Sequence, residues 1–229
     1  MAGTMMHLVI ADRLLEYLNI ENPALFYCGN LAPDAIMARE NYERSMKRHT
    51  HFKDGTSLHQ LRYPEHQAAY MERLMRFYET LVVPESPSQE VYLGYITHML
   101  VDELYILHFR DRFVDMLVSQ GKHVNDKEFF DMFVDDVDQV DWELVRTYPF
   151  RHKMPDILRA ESSYEIPEFI TNAELLDSKD WVINKFFVEK HDKEPLQVMT
   201  MEANLQFIEL CVEKIPQILR ERFHDPHVK

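Results

Sequence analysis

Apolar residues recur at intervals of three and four along most of the chain, which is the spacing of one buried helix face. In residues 5–18 they stand at positions 6, 8, 9, 10, 14, 15 and 18, and in residues 64–83 at 68, 71, 74, 75, 77, 78 and 81. The same pattern predicts further helices over residues 89–119, 126–138, 172–190 and 200–223. We therefore predict an all-α protein.

Two stretches between these helices are less regular. Asn22-Pro23 is predicted to begin a short helix over residues 23–27, which Gly29-Asn30 would end. A further helix is predicted to begin at Pro33 and to run to about Lys47. Residues 49–55 are predicted to form a loop or extended chain, and residues 141–170, with three prolines, an irregular segment.

Composition supports one helical domain over residues 1–229. Only 5 of the 229 residues are glycine, and 46% are hydrophobic. No run of about 18 uncharged apolar residues occurs, so no segment is expected to span a membrane. Residues 1–18 have the pattern of an amphipathic helix instead of a signal peptide, and Cys28 and Cys211 are too few for a disulfide framework. A reducing, cytoplasmic setting is expected.

The net charge of −14 argues against two classes of binding partner. It argues against nucleic-acid binding, since phosphate contacts require clustered lysine and arginine. It also disfavours docking on anionic membranes. A small phosphate ester remains a possible substrate because a bound cation can reverse the local potential.

The helix predicted over residues 89–119 carries His98, Asp102 and His108 among apolar neighbours. His98 and Asp102 lie one turn apart and about 40° around the axis, so both can reach one ion. An ionised aspartate in a core helix costs several kcal/mol unless it is paired or binds a metal. His108 lies about 80° around from His98 and nearly three turns on, so it should serve a different site. The alternative is a hydrogen-bonded core histidine and an Asp102 paired with Arg13 or Arg110.

Three earlier residues strengthen the metal interpretation. His7, Asp34 and His51 come from separate segments, and each alone has an ordinary structural role. Together with the central helix they supply the mixed nitrogen and oxygen ligands that zinc accepts.

Four motifs follow one another in the first half of the chain: Thr4-x-x-His7, Gly29-Asn30-x-x-Pro33-Asp34, His51-Phe52-x-Asp54, and Tyr92-x-Gly94-Tyr95-x-x-His98-x-x-x-Asp102-x5-His108. In this order, over about residues 5–110, they resemble the bacterial zinc-dependent phospholipase C family, which is similar in fold to the fungal single-strand-specific zinc nucleases.

The resemblance implies an all-α domain with a cluster of one to three zinc ions, most simply two, that hydrolyses phosphoesters. It implies that His51, His98 and Asp102 bind one zinc with Asp34 beside it, and that His7 and a bridging Asp102 bind a second. It implies a third ion for His108. The resemblance also makes Asp34 the general-base candidate.

The first hypothesis is therefore a metal-dependent phosphoesterase that uses metal-activated water. A phosphohydrolase with paired His-Asp ligands ranks lower, since the His-Asp pairs at 191–192 and 224–225 lie near the C-terminus in polar contexts. A third hypothesis is a helical binding or scaffold protein with an incomplete site.

Two departures from the family support the third hypothesis. Six residues precede His7, where secreted members of the family use a terminal amine as a ligand. No His-x-x-x-Glu follows His108, whose partner is left open between His123 and His152. Convergence of His7, Asp34, His51, His98 and Asp102 on one point would indicate an intact site. Lysine or arginine side chains at that point would indicate a decayed site.

Overall fold

The computed structural model describes residues 2–56, 60–83, 86–119, 121, 127–160 and 164–229. Within these ranges the backbone is mainly helical, and the β-structure consists of two isolated bridges, Leu18 with Val228 and Ile166 with Ile170. The α-helices are α1 (Thr4–Leu14), α2 (Pro23–Ala35), α3 (Met46–Thr50), α4 (Pro64–Phe77), α5 (Gln89–Leu104), α6 (Arg110–Ser119), α7 (Lys127–Thr147), α8 (Met154–Ala160), α9 (Asn172–Ile183) and α10 (Met201–Ile218).

The long predicted helices are confirmed, with π-helical turns at their ends. Such turns follow α4, α5, α9 and α10, at Tyr78–Val82, Tyr105–Phe109, Asn184–Val188 and Leu219–Phe223. The turn after α5 leads directly into α6, so the predicted helix over 89–119 is continuous. No helix in the described part of the chain is long and apolar enough to cross a membrane.

Helix α2 corrects the predicted break at Gly29-Asn30 and the predicted helix from Pro33 to Lys47. It runs unbroken from Pro23 to Ala35 with Pro33 inside it, and a 3₁₀ turn at Ile36–Ala38 follows. Asn22 caps its start by accepting a hydrogen bond from the Ala24 N–H at 3.1 Å.

The glycine in α2 serves a helix crossing and does not end a helix. A Cβ atom on Gly29 would collide with the Val91 carbonyl of α5, and one on Gly94 would collide with the Phe26 carbonyl of α2. The two glycines therefore let the helices approach more closely than any larger residue would permit. This is why the end predicted at Gly29 was wrong.

Two further segments are more helical than predicted. His49 and Thr50 end the short helix α3, so only residues 51–55 of the predicted loop lack helical structure. Helix α7 continues to Thr147, because Val140 and Leu144 extend its buried face beyond the predicted end near 138.

Helix α5 lies at the centre of the core. Its residues from Val91 to Asp102 are all buried, and the core cluster draws on side chains from Ala2 to Phe223. Helix α1 is also buried along most of its length. His7 on α1 and His98 and Asp102 on α5 are therefore buried in protein.

Candidate metal centre

Five of the six predicted metal ligands meet inside the helical core. His7 lies on α1, Asp34 on α2, His51 directly after α3, and His98 and Asp102 on α5. The candidate ligand atoms of His7, His98 and Asp102 all lie within 4.8 Å of one another, as do those of Asp34, His51 and His98. We call these five residues the metal cluster.

Distances within the metal cluster match those between ligands of a shared ion. His51 Nε2 lies 3.2 Å from Asp34 Oδ1 and 3.8 Å from Asp102 Oδ2, and His7 Nε2 lies 3.8 Å from Asp102 Oδ1. Ligands at about 2.0–2.2 Å from zinc are separated by about 3.3–3.6 Å in a tetrahedral site and by at most about 4.4 Å. The donor set therefore fits zinc.

The hydrogen-bond partners of the Nδ1 atoms show which ring nitrogen carries the proton in His98 and in His51. His98 Nδ1 lies 2.7 Å from the Asn30 carbonyl, which can only accept, so Nδ1 carries the proton. His51 Nδ1 lies 3.0 Å from the Thr50 hydroxyl, and that hydroxyl donates its own proton to the Pro33 carbonyl at 2.8 Å. The Thr50 hydroxyl oxygen must therefore accept a hydrogen bond from the His51 Nδ1–H. Both rings are left with an Nε2 lone pair, the arrangement typical of metal-binding histidines.

Several buried polar atoms of the metal cluster have no hydrogen-bond partner within the described part of the chain. They are both ring nitrogens of His7, Nε2 of His51 and of His98, and Oδ1 of Asp102. Buried polar groups are almost always hydrogen-bonded, so ring nitrogens and a carboxylate oxygen that lack partners in one place require an explanation. A cation between them would supply it.

The ring planes of His7 and His98 separate two candidate ion positions. The rings are stacked with centroids 3.7 Å apart and planes 1° from parallel. An imidazole lone pair lies in its ring plane, and parallel planes at this spacing do not meet, so one ion cannot lie in both. His7 and His98 therefore suit two different ions, although their nitrogens are close. Asp102 lies between, with Oδ1 towards His7 and Oδ2 towards His51.

Two lysines also reach the metal cluster, and the sequence interpretation missed them. Lys53 Nζ lies 3.2 Å from Asp102 Oδ2, with both side chains buried, and Lys47 Nζ lies 2.7 Å from Asp34 Oδ1. The predicted alternative pairing of Asp102 with Arg13 is wrong, since Arg13 forms a bidentate pair with Glu209. The two criteria therefore give opposite results: the convergence of the ligands indicates an intact site, whereas lysines beside Asp34 and Asp102 indicate a decayed one.

The protonation states of the metal cluster are those that metal binding requires. Burial lowers the pKa of His51 to about 4 and lowers the pKa of His7 and of His98. Burial alone would raise the pKa of Asp34 and of Asp102, but the adjacent lysines and histidines outweigh it and lower both. Neutral imidazoles and ionised carboxylates are the metal-binding forms at neutral pH.

The metal cluster opens to solvent along one edge. The Asp34 side chain is 18% exposed and that of Lys47 is 19% exposed, whereas those of His51 and Asp102 are at most 1% exposed. A substrate would therefore approach from the side of Asp34 and Lys47.

His108 lies apart from the metal cluster. It is exposed on the π-helical turn after α5, and it belongs to neither group of convergent ligands. Its candidate partner His152 is exposed beside Arg151, and the other candidate, His123, lies outside the described residues. A third metal site at His108 stays a prediction.

The chain is similar to one known protein family. A model of the family described as zinc dependent phospholipase C matches residues 6–165, about 70% of the 229-residue chain. No curated protein and no solved structure matches. The match spans every residue of the metal cluster, and the all-α fold agrees with it. The chain belongs to the zinc-dependent phospholipase C family.

Proposed function

We propose that the protein is a zinc-dependent phosphoesterase that hydrolyses a phosphodiester or a phosphomonoester. Membership of the family supports a hydrolase of the phospholipase C type. The observation that carries the proposal is the buried convergence of three histidines and two aspartates, two of the histidines having their Nε2 lone pairs fixed by Asn30 and Thr50.

The ring geometry supports two ions. We assign the first to Asp34, His51, His98 and Asp102, and the second to His7 and Asp102, which would bridge the two through its separate oxygens. Zinc bound there would supply Lewis acidity that activates water and neutralises phosphate charge. The binding of a third ion by His108 stays a prediction.

Asp34 is the candidate general base of the proposed reaction. Asp34 is the partly exposed carboxylate of the metal cluster, so it is the one placed to meet a phosphate ester and an attacking water. A general base works best with a pKa near the working pH. The pKa of Asp34 lies well below its usual value while Lys47 and His51 contact it. Its role as a base therefore depends on a rearrangement of Lys47.

One observation favours the second candidate, a helical binding protein with an incomplete site. The Lys53 ammonium occupies the Asp102 oxygen that a first-site ion would use. If that ion pair were permanent, the metal cluster would be a structural polar core without catalysis.

Metal analysis and a substrate panel distinguish the two candidates. Protein purified without chelators is analysed for bound zinc. It is then assayed with p-nitrophenyl phosphate, bis-p-nitrophenyl phosphate, p-nitrophenyl phosphorylcholine and phosphatidylcholine, zinc-loaded and after chelation. We expect about two zinc ions per chain, and chelator-sensitive hydrolysis of at least one ester class. Absence of zinc binding, with or without hydrolysis, would refute the proposal.

Asp102→Asn is the site variant, and Asp138→Asn is its matched control. Each aspartate forms an ion pair with a lysine, Asp102 with Lys53 and Asp138 with Lys185 at 2.9 Å, but Asp138 lies outside the metal cluster. We expect Asp102→Asn to abolish activity and to lower the zinc content. Asp138→Asn should retain both. Equal loss in both variants would mean that the effect is one of folding.

We also propose a cytoplasmic setting and a partner set without nucleic acid. The support is that Cys28 and Cys211 are buried and form no disulfide, and that the net charge is −14. The number of subunits is left open.

A further inference from the structure

Two lysines contact the two carboxylates that would bind the first ion. Lys53 Nζ lies 3.2 Å from Asp102 Oδ2, and Lys47 Nζ lies 2.7 Å from Asp34 Oδ1. Each contact is made to the carboxylate oxygen that also faces His51 Nε2, at 3.8 Å for Asp102 and 3.2 Å for Asp34. The ammonium groups and an ion would therefore use the same two oxygens.

The backbone around Lys53 directs its side chain inward. The Lys53 N–H donates to the Arg48 carbonyl at 2.8 Å, and the Lys53 carbonyl accepts from the Thr56 N–H at 2.9 Å. Phe52, just before it, has a left-handed backbone with φ of 54° and a buried ring. A non-glycine residue adopts this conformation only where the surrounding structure enforces it. The Lys53 side chain, 5% exposed, is thus built into the metal cluster.

We propose that Lys53, aided by Lys47, competes with a divalent cation for the first site, so that metal binds only by displacing these ammonium groups from Asp102 and Asp34. This inference rests on the proposed metal site but concerns its affinity and its role in folding. It predicts a metal cluster that remains folded without an ion and that binds zinc more weakly than its ligand set alone would.

The charges of the first site carry the proposal. With neutral histidines, the two carboxylates are balanced by the two ammonium groups, whose combined charge equals that of one Zn²⁺. An ion added beside both lysines would leave an excess of two positive charges in a buried region, where Coulomb interactions are strong. Lys47 is 19% exposed and can turn into solvent, whereas Lys53 is nearly enclosed. Lys53 should therefore account for most of the competition.

Lys53→Met tests the competition directly, because methionine keeps an unbranched apolar stem and removes the charge. Zinc affinity is measured by competition with a chelator of known affinity, and stability by urea unfolding in the presence of excess chelator. We expect Lys53→Met to tighten zinc binding about 10-fold or more and to lower the urea midpoint of the chelated protein. Added zinc should restore that midpoint. Lys47→Met should shift both quantities in the same direction by a smaller factor.

Lys185→Met is the matched control, since Lys185 contacts both oxygens of Asp138 at 2.9 and 3.0 Å outside the metal cluster. Its zinc affinity should equal that of the wild type. If Lys53→Met does not fold, Lys47→Met at the exposed edge carries the test.

The outcomes separate this inference from the proposed function. Tighter binding by the Lys53 or Lys47 variant supports the inference, and it does so even where the wild type binds no zinc, a result that would refute only the proposed function. Wild-type binding with unchanged or weaker binding in both variants overturns the inference alone. Failure of the wild type and of both variants to bind zinc overturns both.

Discussion

Replacing Thr50 by valine tests how the metal cluster sets the proton position on His51. The Thr50 hydroxyl accepts from His51 Nδ1 at 3.0 Å and donates to the Pro33 carbonyl at 2.8 Å. Valine has nearly the same shape but neither function. The His51 Nδ1–H would then be buried without an acceptor, at a cost of about 1–3 kcal/mol. Loss of the bond to Pro33 adds about 1 kcal/mol.

The variant can escape part of this cost by moving the His51 proton to Nε2, where it would face Asp34. That tautomer has no lone pair for a metal, so zinc binding would have to reverse it. We expect a loss of about 2 kcal/mol in the free energy of unfolding of the chelated protein. Zinc affinity should fall about 10-fold to 100-fold, as for other outer-shell partners of metal-binding histidines.

Urea unfolding with chelator and zinc titration against a competing chelator measure the two effects separately. Thr50→Ser is the matched control, because it keeps the hydroxyl, and its zinc affinity should stay within a few-fold of the wild type. If Thr50→Val binds zinc as tightly as Thr50→Ser, the assignment of the His51 proton is wrong.

Three further predictions concern the fold and its pH dependence. Gly29→Ala should destabilise the protein by about 3 kcal/mol in urea unfolding, since the added methyl overpacks the crossing of α2 and α5; Gly55→Ala, at an open turn with φ of 71°, should cost only about 1 kcal/mol. The pKa of His51 is about 4 in the folded protein and near 6.5 when unfolded, so the unfolded chain binds the extra proton between these values. Chelated protein should therefore lose about 3 kcal/mol of stability as the pH falls from 6.5 to 4, and a flat urea midpoint over this range would contradict the burial of His51. Burial raises the pKa of Asp141 to about 7, so its contribution has the opposite sign and is lost as the pH rises towards 7. Asp141→Asn should therefore stabilise the protein at pH 8 by roughly 1–3 kcal/mol, and destabilisation there would refute the assignment.

The sequence predicted which polar residues meet in the core better than it predicted what surrounds them. Spacing alone placed His98 and Asp102 on one helix face, because helical periodicity is a local property of the chain. The partners that fix the ligands are non-local: the Asn30 carbonyl and the Thr50 hydroxyl became visible only once α2 and α3 were packed against α5. Lys53 lies within the motif His51-Phe52-x-Asp54. The direction of its side chain, however, depends on the left-handed backbone of Phe52, which nothing in the sequence indicates.

The wrong predictions share a physical cause. Gly29 carries the local preference of a helix end, but tertiary packing against Gly94 determined its role. Asp141 carries the local preference of a carboxylate for solvent, yet it is buried and accepts a hydrogen bond from the Met6 N–H near the start of α1 at 3.1 Å. In both cases a long-range contact overrode a local preference.

The unbroken course of α2 has a consequence for how such a site can be lost. One helix carries the Asn30 carbonyl that holds His98, the Pro33 carbonyl that holds Thr50, and the Asp34 carboxylate. Deletion or insertion of one residue after Gly29 would rotate all three by about 100° about the helix axis. The crossing at Gly29 would be kept, so the core could survive while the metal cluster lost its supports together. Single-residue length changes in this helix, more than substitutions in loops, are therefore expected to remove the proposed metal site while the helical fold remains.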